Sequence, residues 1–253
     1  MMKQNRVLFI ILLFMSSKAL AVNDRLILTD DPPKRLSEYN FFLNPINQSP
    51  NEQVVPYELI TALFSDYSEK HRFVYVPDGM TAVYNNDEVF DFPVGTALIK
   101  TFSYQKTDGS ELLLETRLLL HKDDGWDALT YVWDMNEGDA YLALGGKTID
   151  VRNVITPSNS NYIRYRVPNK NQCKECHLKN DAIEPIGPKP RNINKEIVYR
   201  DDLKRNQIDH WTAMNILQER NYSYDRMVSA FNQNHDLNLR ARSYLDINCG
   251  HCH

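Results

Sequence analysis

ELLLETRLLLHKDDGWDALTYVWD, residues 111–134, decides the expected fold. Two apolar-rich runs flank the turn sequence KDDG, and its Asp124-Gly125 pair is a typical hairpin signal. Another Asp-Gly pair lies upstream at residues 108–109, and the turn sequence NEGD follows at residues 136–139. Short strands joined by tight turns are therefore predicted from about residue 98 to residue 165. Five or more antiparallel strands of this length predict a sandwich or barrel-like domain.

The secondary structure predicted on the two sides of this region differs. Upstream, RFVYVPDG and TAVYNN predict a further hairpin over residues 72–86. Downstream, NQIDHWTAMNILQERN and YSYDRMVSAF, residues 206–231, have the apolar spacing of helices. We therefore expect an α+β protein, in which an antiparallel β domain is followed by a mostly helical region.

The N-terminal 21 residues, MMKQNRVLFIILLFMSSKALA, have the pattern of a secretory signal peptide. Lys3 and Arg6 precede an apolar run at residues 7–15, and Ala19 and Ala21 occupy the −3 and −1 positions of a cleavage site. An apolar run of this length is too short for a transmembrane helix. We expect export to the periplasm of a Gram-negative bacterium, with no stable membrane insertion after cleavage.

The charge of the chain indicates what kind of partner to expect. The formal net charge is −4, and cleavage would remove Lys3, Arg6 and Lys18 but no acid, leaving −7. An acidic protein is a poor match for the phosphate backbone, so nucleic acid is not an expected partner. Soluble partner proteins with basic faces fit this charge better.

All four cysteines fall into two Cys-x-x-Cys-His units. QCKECH contains Cys173, Cys176 and His177, and NCGHCH ends the sequence. Covalent c-type haem accounts for both histidines, for the absence of spare cysteines and for the export signal. A zinc site and a redox-active dithiol are the alternatives. The second unit consists of Cys249, Cys252 and His253.

The spacing of each unit suits covalent haem on a helix. Residues three and four apart share one helix face, so Cys173, Cys176 and His177 would lie together. The two thiols would form thioethers with the haem vinyl groups, and His177 would ligate the iron. Cys249, Cys252 and His253 would act in the same way, with His253 as the second iron ligand. The metal ligands expected are thus His177 and His253.

Candidate groups for the other side of the first haem come from the predicted helical region. His210 and Met214 are four residues apart on one predicted helix, so at most one of them would reach the iron. Met227 lies further along the chain, 50 residues after His177. The sequence leaves the choice among the three open.

The loop after the first unit resembles that of small class I cytochromes c. Gly187-Pro188 follows His177 at about the distance found in those proteins. The resemblance implies that the Pro188 carbonyl accepts a hydrogen bond from His177 and orients it. Lys189 or Arg191, on the same loop, would be able to pair with a haem propionate.

Almost the whole chain after the signal resembles a family of exported bacterial diheme c-type cytochromes whose physiological role is unsettled. The resemblance rests on the order and spacing of VPYELITALFSDYSEKHRFVYVPDG, FDFPVGTALIKTF, ETRLLLHKDDGWDALTYVWD, YRVPNKNQCKECH, PIGPKPRNIN and RARSYLDINCGHCH. It implies a β-rich domain at residues 22–167, a first cytochrome c-like domain at 168–235 and the attachment helix of a second at 236–253. Family members continue past the second unit, so we expect a truncated product or a fragment.

Three functions are compatible with these features. The first is one-electron transfer through two haem c groups to an unidentified redox partner protein. The second is a haem enzyme, such as a peroxidase, with an open iron position. The third is a ligand-binding β domain with an aromatic platform of Trp126, Tyr131 and Trp133, coupled to a cytochrome. Electron transfer is the expectation because no catalytic constellation is visible: His121, Asp123 and Asp124 are expected to face water.

Overall fold

A computed structural model describes residues 20–85, 88–156, 161–219 and 225–250. Of the proposed signal peptide, only residues 20 and 21 are described. Cys252 and His253 lie outside the described residues. The strands are β1 (Phe42–Asn44), β2 (Ser49–Pro50), β3 (Val54–Pro56), β4 (Glu69–Tyr75), β5 (Ala97–Gln105), β6 (Glu111–Lys122), β7 (Gly125–Asp134), β8 (Asp139–Leu142), β9 (Lys147–Arg152), β10 (Tyr162–Val167), β11 (Leu178–Lys179), β12 (Ala182–Ile183), β13 (Glu196–Val198) and β14 (Lys204–Asn206). The helices are α1 (Arg25–Leu28), α2 (Lys170–His177), α3 (Pro190–Ile193), α4 (Gln207–Ala213) and α5 (Leu237–Asn248), with a 3₁₀ turn at Leu36–Tyr39.

One six-stranded antiparallel sheet, in the order β3-β4-β5-β6-β7-β8, forms the centre of the fold. The hairpins predicted around residues 108–109, 124–125 and 136–139 are confirmed as the β5–β6, β6–β7 and β7–β8 connections. Gly109 and Gly138 have φ angles of +84° and +69°, which glycine adopts at little cost. Strands β9 and β10 pair as a separate hairpin.

The two faces of the sheet are covered differently. On one face the inward side chains of β4 to β8 pack against the N-terminal segment, where Tyr39 and Phe41 stack with ring centroids 4.9 Å apart. At one end of the other face, Val74 and Leu98 pack with Trp211 of α4 in a second apolar cluster. At the opposite end, Phe102 and Val132 belong to a third cluster, shared with the β9–β10 hairpin. A cavity lies on this face, beneath α2.

The prediction of an α+β fold with a mostly helical C-terminal region is wrong. The structure is predominantly β, with 36% of the described residues in strands and 18% in helices. The described residues within 168–235 form three short helices, α2, α3 and α4, among four short strands. Prolines 185, 188 and 190 interrupt this segment, and its apolar side chains pack on the sheet instead of on helices of their own. Packing decides helix formation here because helices this short are marginal alone.

The hairpin predicted over residues 72–86 is also wrong. Strand β4 pairs with β3 and β5, whereas Ala82 bridges to Leu217 and Val83 to Asp91. The PDG sequence that suggested a turn therefore ends one strand without starting its partner. No described helix combines the length and the apolar character needed to cross a bilayer.

Candidate functional site

Helix α2, which contains the first Cys-x-x-Cys-His unit, begins with a reciprocal cap. The Asn169 side chain accepts a hydrogen bond from the Gln172 amide at 2.9 Å, and the Gln172 side chain accepts one from the Asn169 amide at 3.1 Å. This satisfies two of the amides that a helix start leaves without intrahelical partners. The helix expected for the first unit is thus observed as α2, with Asn169 as its cap.

The approach to α2 depends on Gly146. Its φ angle is +71°, and a Cβ there would lie 2.8 Å from the Val167 carbonyl oxygen and 2.9 Å from the Asn169 nitrogen. The chain before β9 thus passes directly against the backbone that leads into the helix. Only glycine allows this approach without displacing the start of α2.

His177, the last residue of α2, is oriented by a backbone carbonyl. Its Nδ1 lies 2.7 Å from the Glu184 carbonyl oxygen. Because a carbonyl can only accept, Nδ1 is the donor, and in the neutral ring this tautomer places the lone pair on Nε2. A metal-ligating histidine is commonly held in this way.

The carbonyl that binds His177 differs from the one implied by the resemblance to class I cytochromes. The expected acceptor, the Pro188 carbonyl, instead receives the Phe90 amide at 3.4 Å. Strands β11 and β12 form a tight hairpin through Asn180 and Asp181, both with positive φ, which returns the chain to His177 at Glu184. The Asn-Asp turn after the motif was the sequence signal for this arrangement.

Cys173, Cys176 and His177 line one cavity of about 130 Å³. This volume is below the roughly 300–1,000 Å³ usual for small-molecule and cofactor sites, so a bound haem would need the walls to move apart. The central sheet forms another part of the lining, and Ile186 and Ile247 contribute apolar surface. Cys173 is buried and Cys176 exposed, and both are free thiols. Burial raises the pKa of Cys173, although Arg117 and a hydrogen bond with Thr130 oppose this.

The sheet wall carries a row of three cationic residues that sequence reasoning missed. Arg72 on β4 is directly opposite Lys100 on β5, which is directly opposite Arg117 on β6. All three line the cavity, and each keeps part of its side chain accessible there. Like charges in directly opposed positions destabilise a sheet. We call Arg72, Lys100 and Arg117 the cationic row.

One member of the cationic row has a carboxylate partner. Glu115, fully buried, lies 2.5 Å from Arg117 and outweighs the effect of burial, so the pKa of Arg117 is raised. Burial lowers the pKa of Arg72 despite Tyr57 and Glu58, and it lowers that of Lys100 well below its ordinary value, helped by Arg72 and Arg117. In the described part of the chain, no carboxylate forms an ion pair with Arg72 or Lys100.

Lys189 and Arg191, considered as propionate partners, already bind a carboxylate. Asp246 of α5 receives the Arg191 Nε at 2.8 Å and the Lys189 Nζ at 3.0 Å. Burial raises the pKa of Asp246, but these two hydrogen-bonding cations outweigh it and hold that pKa below its ordinary range. The ion pairs attach α5 to the loop after the first motif and place Ile247, which is fully buried, at the cavity.

The helix predicted before the second motif is confirmed as α5. Asp236 caps it by accepting from the Asn238 and Leu239 amides, and Cys249 follows its last residue. Cys249 is a free, half-buried thiol. Cys252 and His253 lie outside the described residues, so the geometry of the second unit remains a prediction.

None of the three candidate distal ligands lines the cavity. The His210 ring lies against Tyr199, with ring centroids 3.8 Å apart, and Met214 is 45% exposed. Met227 borders a separate surface pocket with Ile60 and His235. The expected helix at residues 222–231 is absent from its described part, 225–231, so Met227 is not brought back toward His177.

The residues singled out in the β domain are largely structural. Tyr131 and Trp133 are buried in the core, where the Trp133 indole donates to the Thr116 hydroxyl at 2.9 Å. They therefore do not form an exposed platform with Trp126. The Trp126 ring instead stacks on His121 at 4.5 Å. The neighbouring acids 123 and 124 lie in the β6–β7 turn.

The residues around the cavity include the kinds of group that covalent haem requires. Among the described residues, no three His, Cys, Asp or Glu side chains converge as a metal-binding group. Haem instead needs two thiols, one imidazole, apolar walls and cations for its carboxylates. Cys173, Cys176 and His177, the isoleucines and the cationic row supply these around one space.

Comparisons of the chain with protein-family models, with curated proteins and with solved structures return no match.

Proposed function

We propose that the protein is a diheme c-type cytochrome that transfers single electrons. The observation that carries the proposal is that Cys173, Cys176 and His177 line one cavity, with the His177 Nδ1 held by the Glu184 carbonyl. Bound haem would supply a one-electron couple whose potential depends on its surroundings. The resemblance to exported diheme cytochromes supports the same function.

The chain's own residues would perform three tasks. Cys173 and Cys176 would each add their S–H across a vinyl group, forming one C–S bond and releasing nothing. His177 would offer Nε2 to the iron while Glu184 fixes the ring. Ile186 and Ile247 would exclude water from the cavity walls, which limits the solvent reorganisation around a redox centre.

The second unit would attach another haem next to the first. Ile247 lines the first cavity and Cys249 follows it by two residues, so the two attachment points would be adjacent. Cys252 and His253 would complete the unit. Asp246 would maintain this arrangement through its ion pairs with Lys189 and Arg191.

The proposed setting is the periplasm, and the proposed partners are redox proteins. The signal-like N-terminal sequence supports export, and the acidic mature charge favours partners with basic faces. Neither nucleic acid binding nor stable membrane insertion forms part of the proposal.

A potentiometric titration tests electron transfer. Protein made with cytochrome maturation machinery should titrate reversibly, with the spectral changes fitted by one-electron transitions. A matched variant, Cys249→Ala/Cys252→Ala, should show one transition, and Cys173→Ala/Cys176→Ala should lose that transition. A visible spectrum that does not respond to the applied potential would contradict the function.

One observation favours a haem enzyme as the second candidate. Apart from His177, no histidine or methionine is among the described residues that line the cavity. An iron position facing the sheet would then be open to a small ligand, as catalysis requires. Carbon monoxide titration of the reduced Cys249→Ala/Cys252→Ala variant distinguishes the two: fast, complete binding favours the enzyme, and resistance favours the electron carrier.

A further inference from the structure

We propose that the cationic row, Arg72, Lys100 and Arg117, is a dicarboxylate-binding site for the two propionates of the haem attached at Cys173 and Cys176. The inference rests on the proposed function and goes beyond it, because it assigns the sheet of the β domain to the haem site. It also replaces Lys189 and Arg191 as the cations for the propionates.

The number of charges supports a dianionic ligand. The row has three cations, and Glu115, which contacts Arg117, is its one carboxylate in the described residues. Two positive charges therefore lack a contacting acid. A partly buried charge without a partner is unfavourable, so a site of this kind is more stable with an anion than without one. The two propionates of haem match the uncompensated charge.

The side chains are held side by side in a way that suits two carboxylates. The Lys100 Nζ lies 4.6 Å and the Arg117 Cζ 4.3 Å from the centre of the Phe102 ring. These cation–π contacts fix both head groups over one apolar surface. In the described part of the chain the Arg117 Nε is buried and has no hydrogen-bond partner, so a ligand that reached it would satisfy this donor. Carboxylates are the usual partners of such a fork.

The location of the row explains why a soluble ion would be a weaker occupant. The cavity is lined both by the row and by Cys173 and Cys176. A ligand attached to the thiols would be confined to the same space, so its carboxylates would be present at a high effective concentration. A free anion has no such advantage.

The first test compares the propionate vibrations of two lysine variants. Lys100→Met removes one cation of the row at similar volume. Lys70→Met removes a partly buried lysine that does not line the cavity, from the same strand and the same sheet face as Arg72. Both are made in the Cys249→Ala/Cys252→Ala background, and denatured mass confirms one attached haem in every sample. We expect the propionate bending band in resonance Raman spectra to shift for Lys100→Met and to stay unchanged for Lys70→Met.

The second test measures, by thermal unfolding, how the stability effect of a change in the row depends on attached haem. Without haem, Lys100→Met relieves repulsion between buried cations and should raise the midpoint of thermal unfolding. With haem attached, the same change also removes a propionate partner, so the increase should shrink or become a decrease. An equal increase in both states, or an unshifted propionate band in Lys100→Met, would overturn the proposal. Because haem attachment is verified in each holoprotein sample, such a result would leave the proposed function standing.

Discussion

The two faces of the central sheet are packed differently, although the same strands build them. On the closed face, Leu120 and Tyr131 lie in a dense apolar core against the N-terminal segment. On the open face, the alternating positions bring Arg72, Lys100 and Arg117 into one row above a cavity. A two-residue period thus gives one face with a continuous apolar core and one whose middle borders a cavity. The closed face supplies stability, and we infer that the open face supplies function.

The largest difference in stability between the two faces is expected for truncation of two neighbouring leucines on β6. Leu120 is fully buried on the closed face, whereas Leu119 is half-buried and lines the cavity. Leu120→Ala should lower the free energy of unfolding by about 4 kcal/mol, since it leaves a void in a packed core. Leu119→Ala should cost about 1 kcal/mol, because fewer contacts are lost beside an existing cavity. Urea unfolding of the haem-free variants provides the values, and equal losses would show that the two faces do not differ.

Two adjacent glycines, Gly145 and Gly146, extend the comparison to the chain segment that leads into α2. Gly146→Ala should destabilise the protein by about 3 kcal/mol, because its Cβ would overlap the backbone before α2 and its φ is positive. Gly145→Ala is the matched control, since a Cβ there meets nothing within 4 Å. Thermal unfolding of both variants measures the difference. A Gly146→Ala variant as stable as Gly145→Ala would contradict the close approach.

The smallest effect concerns the attachment of α5 to the cavity rim. Asp246→Asn should lower the free energy of unfolding at pH 7 by about 2 kcal/mol, because Lys189 and Arg191 lose their shared carboxylate. The pKa of Asp246 is lower in the folded protein, so its contribution is present above the unfolded value of about 3.9 and is lost as pH falls through the folded value. The difference between wild type and variant should therefore persist at pH 5 and shrink below about pH 4.

The control for the Asp246 variant is Asp123→Asn, whose carboxylate is exposed in the β6–β7 turn. Chemical unfolding across pH 3–7 would follow both. A difference for Asp246→Asn that stays constant through this range would show that the carboxylate is not the source of the stability.

The parts of the structure that sequence predicted depend on local interactions. The hairpins follow from short turn sequences, and α2 and α5, expected from the two attachment units, are capped locally by Asn169 and Asp236 at their starts. The parts that it missed depend on strand register. Lys100 and Arg117 interrupt the apolar runs ALIKTFSY and ELLLETRLLL, a signal that was visible, but their alignment with Arg72 requires the pairing of three strands.

The incorrect helical region has a related cause. Apolar spacing in residues 206–231 predicts helices, but α4 ends at Ala213 and Trp211 packs into the cluster shared with the sheet. The apolar periodicity indicates which side chains are buried, but it does not indicate which elements they pack against. His210 and Met214 are candidate distal ligands because of that helix pattern and Met227 because of its distance from His177, but the cavity forms elsewhere.

The central claim is covalent haem in the cavity on the open face, and intact mass under denaturing conditions tests it most directly. Protein exported in cells with cytochrome maturation machinery would be compared with its Cys173→Ala/Cys176→Ala variant. We predict that the Cys249→Ala/Cys252→Ala background retains one haem mass after denaturation, and that adding the first pair of substitutions removes it. Loss of all haem from the background protein on denaturation would contradict the account.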